Sequence, residues 1–232
     1  MNRLSLPKIT FTLCFFVLLR SMHAQMPTLN EVEFVPLWGE KRLLANEPLH
    51  CRNGDSLKLK KLAWYISDLH LMLGSTTVWR DEEKARLMGA GVTGELKIKI
   101  NYADTIQFDA VEFYAGIDSL TNCSGAFVGS LDPANGMYWT WQSGFINTKI
   151  EAESNSGREL QLHLGGYRWP FASVMKVRLP IVAVTNKILI GIDLQKVIEA
   201  ALAENTERVM QPGKNALNLS VKWAEGFKTI EP

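Results

Sequence analysis

Trp139 and Trp141 lie two residues apart in the most unusual stretch of this sequence, Asn122 to Asn147, which reads NCSGAFVGSLDPANGMYWTWQSGFIN. In a strand, residues at i and i+2 project from one face, so both indoles share a face with Met137 and Ser143. Paired indoles this close to a turn are costly to leave in water, and their plain reading is packing between sheets. Side chains that could ligate a metal or move a proton are few. The chain has four histidines. His163 alternates with Leu162 and Leu164 and shares a polar face with Gln161; a lone strand histidine of this kind is usually structural. His70 shares a face with Asp68 and Met72 and reads as a surface or half-buried residue beside an acid. His50 precedes Cys51 at a loop and reads as solvated. Asp118, Asp132 and Asn135 could offer oxygens to calcium, but turn-rich segments use Asp and Asn more often as caps. Glu112, Asp118 and Glu151 are scattered over separate strands, whereas acid–base chemistry needs groups gathered in a cleft. With no GxSxG and no CxxC, the sequence does not read as that of an enzyme.

The elements that must position these groups are mostly strands. Period-two alternation, the mark of a strand with one face on a core, is clean in Leu57 to Lys60 and in Leu96 to Ile100. It continues through Ala63 to Leu73, which puts Tyr65, Leu69, Leu71 and Leu73 on one face and Trp64, Ile66, Asp68, His70 and Met72 on the other. Phe108 to Ile117, Ile146 to Ile150, Leu160 to Leu164, Val174 to Leu179 and Ile181 to Ile192 read the same way. Asn53-Gly54-Asp55, Asn155-Ser156-Gly157 and Asp132 to Gly136 are turns. Arg80 to Gly94 is charged and Gly-rich and reads as a connecting loop. Asp193 can cap a helix to about Ala203, and Lys214 to Phe227 is a second helical segment. Together these predict an all-β fold, a β-sandwich of mainly antiparallel strands with one or two short C-terminal helices.

The first residues predict export. Arg3 and Lys8 precede an uncharged run from Ile9 to Leu19 that is short of the roughly 20 residues a membrane span needs. Cleavage after Ala24 makes 1–24 a signal peptide and 25–232 one domain. Cys14 lies inside the apolar run rather than at its end, which argues against a lipid anchor. Removing Arg3, Lys8 and Arg20 leaves 22 basic groups against 24 acidic ones, a net charge near −2. No basic stripe is left to bind nucleic acid or anionic lipid. Of the three cysteines, Cys51 and Cys123 stay in the mature chain. In an oxidising compartment they could form one disulfide; two buried free thiols are the equal alternative.

Four blocks resemble the MbnP-like family of periplasmic copper-binding proteins. They are Gly54-Asp55-Ser56-Leu57 with Trp64-Tyr65-Ile66-Ser67; Gly116-Ile117-Asp118-Ser119; Ser124-Gly125-Ala126 through Leu131-Asp132-Pro133 to Gly136–Gly144; and His163-Leu164-Gly165-Gly166. The resemblance implies a periplasmic or extracellular protein that holds copper with two histidines and a kynurenine made by oxidising a tryptophan. It implies His163 as a ligand and Trp139 or Trp141 as the kynurenine precursor. A partner enzyme of the di-haem peroxidase type would carry out that oxidation. Imidazole and oxygen donors favour copper among divalent ions, and Met137 could add a thioether, although core packing suits it better. This sequence has no histidine beside the tryptophan pair, so a second donor must come from elsewhere in the fold. Two functions follow: an exported copper-binding protein for storage, carriage or partnership with such an enzyme, or an envelope binding or structural module of the same fold that has lost the metal site.

Overall fold

Alternating apolar and polar residues build this chain into a β-sandwich with short helices. The computed structural model describes residues 29–89, 96–100, 107–124, 127–140, 144–181 and 186–231. The segment read as a signal peptide lies outside the described residues, as do Trp141 and Ser143. In chain order the strands are β1 (Glu31–Trp38), β2 (Lys41–Arg42), β3 (Leu49–His50), β4 (Ser56–Leu73), β5 (Thr76–Arg80), β6 (Ala85–Met88), β7 (Lys97–Lys99), β8 (Ala110–Ala115), β9 (Tyr138–Trp139), β10 (Gly144–Ser154), β11 (Glu159–Gly165), β12 (Met175–Pro180), β13 (Lys187–Asp193), β14 (Arg208–Val209) and β15 (Phe227–Ile230). The helices are α1 (Ser119–Cys123), α2 (Leu194–Ala203) and α3 (Lys214–Ala224).

The larger sheet runs β12-β8-β4-β10-β11-β14, with β3, β5 and β6 also on β4, and β9 on β10. The smaller runs β15-β13-β1-β2, with β7 also on β1. Pairing is antiparallel except between β1 and β13 and between β11 and β14. Between the sheets lies an apolar core in which Phe34 of β1 meets Trp64 of β4 and Phe113 of β8, edge to face, with ring centroids 6.1 and 5.8 Å apart. Helices α2 and α3 close this core with Val197, Ile198 and Trp223. A second, smaller cluster occupies the outer face of the large sheet, built on Ala63, Tyr65, Met137, Trp139, Phe145 and Ile146.

Strand β4 corrects the two faces read from its alternation. Trp64 and Ile66 share the inner core with Leu69 and Leu71, while Tyr65 belongs to the outer cluster. The reason is a register shift between Ser67 and His70 against β8, with Asp68 at φ 52°. One extra residue in a strand inverts the in–out order beyond it.

Other elements also depart from expectation. Ala85–Met88, read as part of a loop, pairs with Trp64–Ser67 of β4. β1 escapes the alternation rule because Pro36 interrupts it, and Pro argues against a strand interior. Asp118, expected to cap a turn, is the N-cap of helix α1, accepting from the Thr121 backbone N–H at 2.9 Å and the Thr121 hydroxyl at 2.7 Å. Helix α2 starts at Asp193 as expected, its carboxylate accepting from the N–H of Gln195 at 3.0 Å and of Gly39 at 2.8 Å. Helix α3 ends earlier than its apolar pattern, and Phe227 opens β15 instead. Cys51 and Cys123 are separate free thiols. Cys51 is buried, which pushes its thiol up to about 11, and Cys123 is exposed. The disulfide is therefore set aside, and the expectation of two buried thiols holds only for Cys51.

Candidate functional site

Strand β9 pairs with β10, and β10 with β11, which places Trp139 and His163 on the outer face of the large sheet. Strands β10 and β11 form a hairpin around the Asn155-Ser156-Gly157 turn, and the register sets Lys149 opposite His163 and Glu151 opposite Gln161. Next to them, Lys149 pairs with Ala63 and Glu151 with Lys61 of β4. These positions alternate out of the inner core, so one imidazole, one carboxylate and two ammonium groups share the outer face.

His163 is buried, and its Nε2 lies 2.8 Å from Glu151 Oε1. Burial pushes the imidazole below its ordinary pKa of 6.5; the Glu151 hydrogen bond opposes that shift, and the charges of Lys149 and Lys61 add to it. At neutral pH the ring is therefore uncharged. An ionised carboxylate only accepts, so Nε2 carries the ring proton and Nδ1 keeps the lone pair. No other hydrogen bond to His163 is found among the described residues, so this lone pair is available to a ligand.

Trp139 lies against Gly165, two residues along β11 from this histidine. A Cβ placed on Gly165 would come within 2.7 Å of Trp139 Cζ3 and 2.5 Å of the Phe145 carbonyl oxygen. The bare glycine is what lets the indole lie against β11. Gly165 follows His163 by two residues on the same strand face, a separation of roughly 6.5–7 Å. Trp139 is buried with Met137 in the outer-face cluster, so Met137 packs in a core as expected, while Trp139 packs against the outside of the large sheet rather than between the sheets.

Lys149 ties the preceding turn to the sheet. It is only 9% exposed, and its Nζ donates to the Gly136 carbonyl at 2.7 Å. Burial lowers its pKa, with Lys61 acting in the same direction and Glu151 against it. Neither Lys149 nor Gly165 was singled out by sequence, and Glu151 was read as solvated. Counting register outward from the Asn155–Gly157 turn would have placed Glu151 and Lys149 beside His163.

The remaining histidines sit elsewhere. His50 Nδ1 is 2.9 Å from Ser56 Oγ at the edge of β4. His70 is buried with Nε2 2.7 Å from Asp68 Oδ1, next to an acid as expected but more enclosed. Asp132 caps a turn by accepting from the Ala134 N–H at 2.8 Å, and the Asn135 amide donates to the Gly129 and Ser130 carbonyls. Glu112 pairs with Lys176 at 2.8 Å. Among the described residues no group of three or more His, Cys, Asp or Glu gathers as a metal centre would require. The corner therefore fits copper in the kind of donor it offers and falls short in number: one imidazole nitrogen, its orienting carboxylate, and two cations that oppose a metal ion.

No helix among the described residues is long and apolar enough to cross a membrane. A family model, MbnP, matches residues 28–214, a span that contains Trp139, Trp141 and His163. Among solved structures the chain is similar to MbnP from Methylosinus trichosporium, at 14% identity and a TM-score of 0.51, covering 73% of this chain and 77% of that one. That likeness is one of fold. No curated protein sequence matches. With most of its length inside the family model, the chain belongs to the MbnP family.

Proposed function

We propose that this is an exported, periplasmic or extracellular copper-binding protein in which His163 supplies the imidazole ligand beside Trp139. The observation that supports this reading is the 2.8 Å contact between His163 Nε2 and Glu151 Oε1: with the carboxylate as acceptor, the Nδ1 lone pair is left for a metal. A histidine ligand whose other ring nitrogen donates to a carboxylate is the usual second-shell arrangement of a metal site. Glu151 would hold the ring in place and raise its basicity, and Gly165 would keep Trp139 against the same strand. Copper, when bound, would supply a redox-active centre to which imidazole is well suited. The corner carries no group set for chemistry of its own, so its role is storage, carriage or partnership. A di-haem peroxidase-type enzyme is the proposed partner, with Trp139 or Trp141 as the residue it oxidises.

A second reading, an envelope binding or structural module that has lost the metal site, has its own support. Lys149 and Lys61 place positive charge next to His163, and no second imidazole lies there among the described residues. Metal analysis by mass spectrometry separates the two. Protein exported by its native host in copper-supplemented medium is compared with a His163→Ala variant. Stoichiometric copper that disappears in the variant supports the first reading and directs peptide mapping for kynurenine to Trp139 and Trp141. Copper in neither protein overturns it in favour of the second.

A further inference from the structure

We infer that a pocket on the far side of Trp139 binds a small ligand made of one aromatic ring and a carboxylate. Trp139, Tyr167, Arg168, Trp169, Phe171 and Pro212 surround a space of about 170 Å³. A void of roughly 150 Å³ holds a benzene ring, so this space is matched to a single six-membered ring. Its walls are aromatic, which suits edge-to-face or offset packing against a planar guest.

The connection from β11 to β12 exposes its large residues in a way that folding does not require. Trp169 is 91% exposed and Phe171 40%. Contiguous exposed aromatic surface usually marks a binding site, and these two side chains form the rim of the same pocket. Leu44, Leu73, Leu120, Val128 and Val221 are exposed elsewhere, but no other Phe, Tyr or Trp side chain among the described residues is, and Trp64 and Trp223 are fully buried.

Polarity at the rim selects the class of guest. Arg168 is exposed, its guanidinium stacks over the Tyr167 ring at 5.2 Å, and it has no acidic partner among the described residues. Trp169 adds an indole N–H, and Tyr167 a hydroxyl that can donate or accept. Among the described residues no carboxylate or side-chain amide lines the pocket. Tyr167 is the one side-chain acceptor among these lining residues, too few for a polyol or an amine, whereas a carboxylate supplies acceptors and matches a guanidinium fork. The pocket is separate from the Nδ1 of His163 and does not rest on copper binding. Trp139 is shared by both: it lies against Gly165 next to His163 and forms a wall of the pocket.

Calorimetric titration and indole N–H chemical shifts test this with three probes: benzoate, benzyl alcohol and acetate. Benzoate is expected to bind saturably and shift the Trp169 indole signal, with benzyl alcohol and acetate each weaker by about tenfold or more. Arg168→Gln should weaken benzoate by a similar factor and leave benzyl alcohol unchanged, and Trp169→Ala should weaken both ring probes. Both residues are exposed, so the variants should fold. His163→Ala should leave benzoate binding intact, whatever its effect on copper. Benzoate that binds no better than benzyl alcohol, or equally well to Arg168→Gln, would overturn the inference.

Discussion

The two faces of the large sheet solve opposite problems with the same three strands. On the inner face, β4, β10 and β11 present Leu62, Trp64, Ile150, Leu162 and Leu164 to a purely apolar core. Two buried indole N–H groups there, on Trp64 and Trp223, have no hydrogen-bond partner among the described residues, and their rings meet edge to face at 5.9 Å. On the outer face the same strands present Ala63, Lys149, Glu151, His163 and Gly165, and the buried polar groups are paired. The inner face tolerates orphaned donors because ring packing outweighs them. The outer face pairs its charges because an unpaired buried charge costs far more than an unpaired N–H. Apolar packing therefore dominates one side of the sheet and paired polar groups mark the other.

That division can be broken by substitution. The largest effect is expected from Trp64→Ala, which should destabilise the protein by about 3–5 kcal/mol in denaturant unfolding, as large-to-small changes of buried aromatics do. Gly165→Ala on the opposite face should cost about 1–3 kcal/mol through overpacking, and it should also move Trp139 and alter its fluorescence, which Trp64→Ala would not do through contact. Lys149→Met should change stability by only about 1 kcal/mol, since a lost hydrogen bond to Gly136 offsets relief from burying an ammonium.

The smallest expected effects are electrostatic, and they sharpen the comparison. In an NMR titration Lys149→Met should raise the His163 pKa, because its charge holds that value down, and Glu151→Gln should lower it, because its hydrogen bond holds the value up. His163 has a depressed pKa in the folded state, so between that value and 6.5 the unfolded chain binds more protons. Its contribution to stability is present in full above 6.5 and is lost as the pH falls towards the folded value. Unfolding measured from pH 7 downward should show this slope, and His163→Phe should flatten it.

Much of the architecture was legible because alternation is a local signal. The Asp193 cap and the strands containing Leu57, Ile98, Ile150, Leu162 and Val177 could all be read from neighbouring residues. What escaped depended on departures from periodicity. Asp68 hides a bulge that exchanges the faces of β4, and Pro36 disguises β1. The candidate site was legible in its members, Trp139 and His163, but not in its electrostatics. Glu151 and Lys149 acquire meaning only when the β10–β11 hairpin is folded in register. The rim residues Arg168, Trp169 and Phe171 left no trace in a reading based on period, because they lie in a connection with no period.

The parallel pairing of β1 with β13 joins residues 31–37 to residues 187–193. Strand β1 thus has no permanent neighbour on that side until residues 187–193 have been made. Such long-range closure is slow, because the entropy of the intervening loop must be overcome before any contact offsets it. Until then Val32, Phe34 and Val35 form an apolar segment open to wrong partners. The smaller sheet of such a chain closes late, once β13 has docked on β1, and misfolding is avoided only while β1 is kept from premature partners.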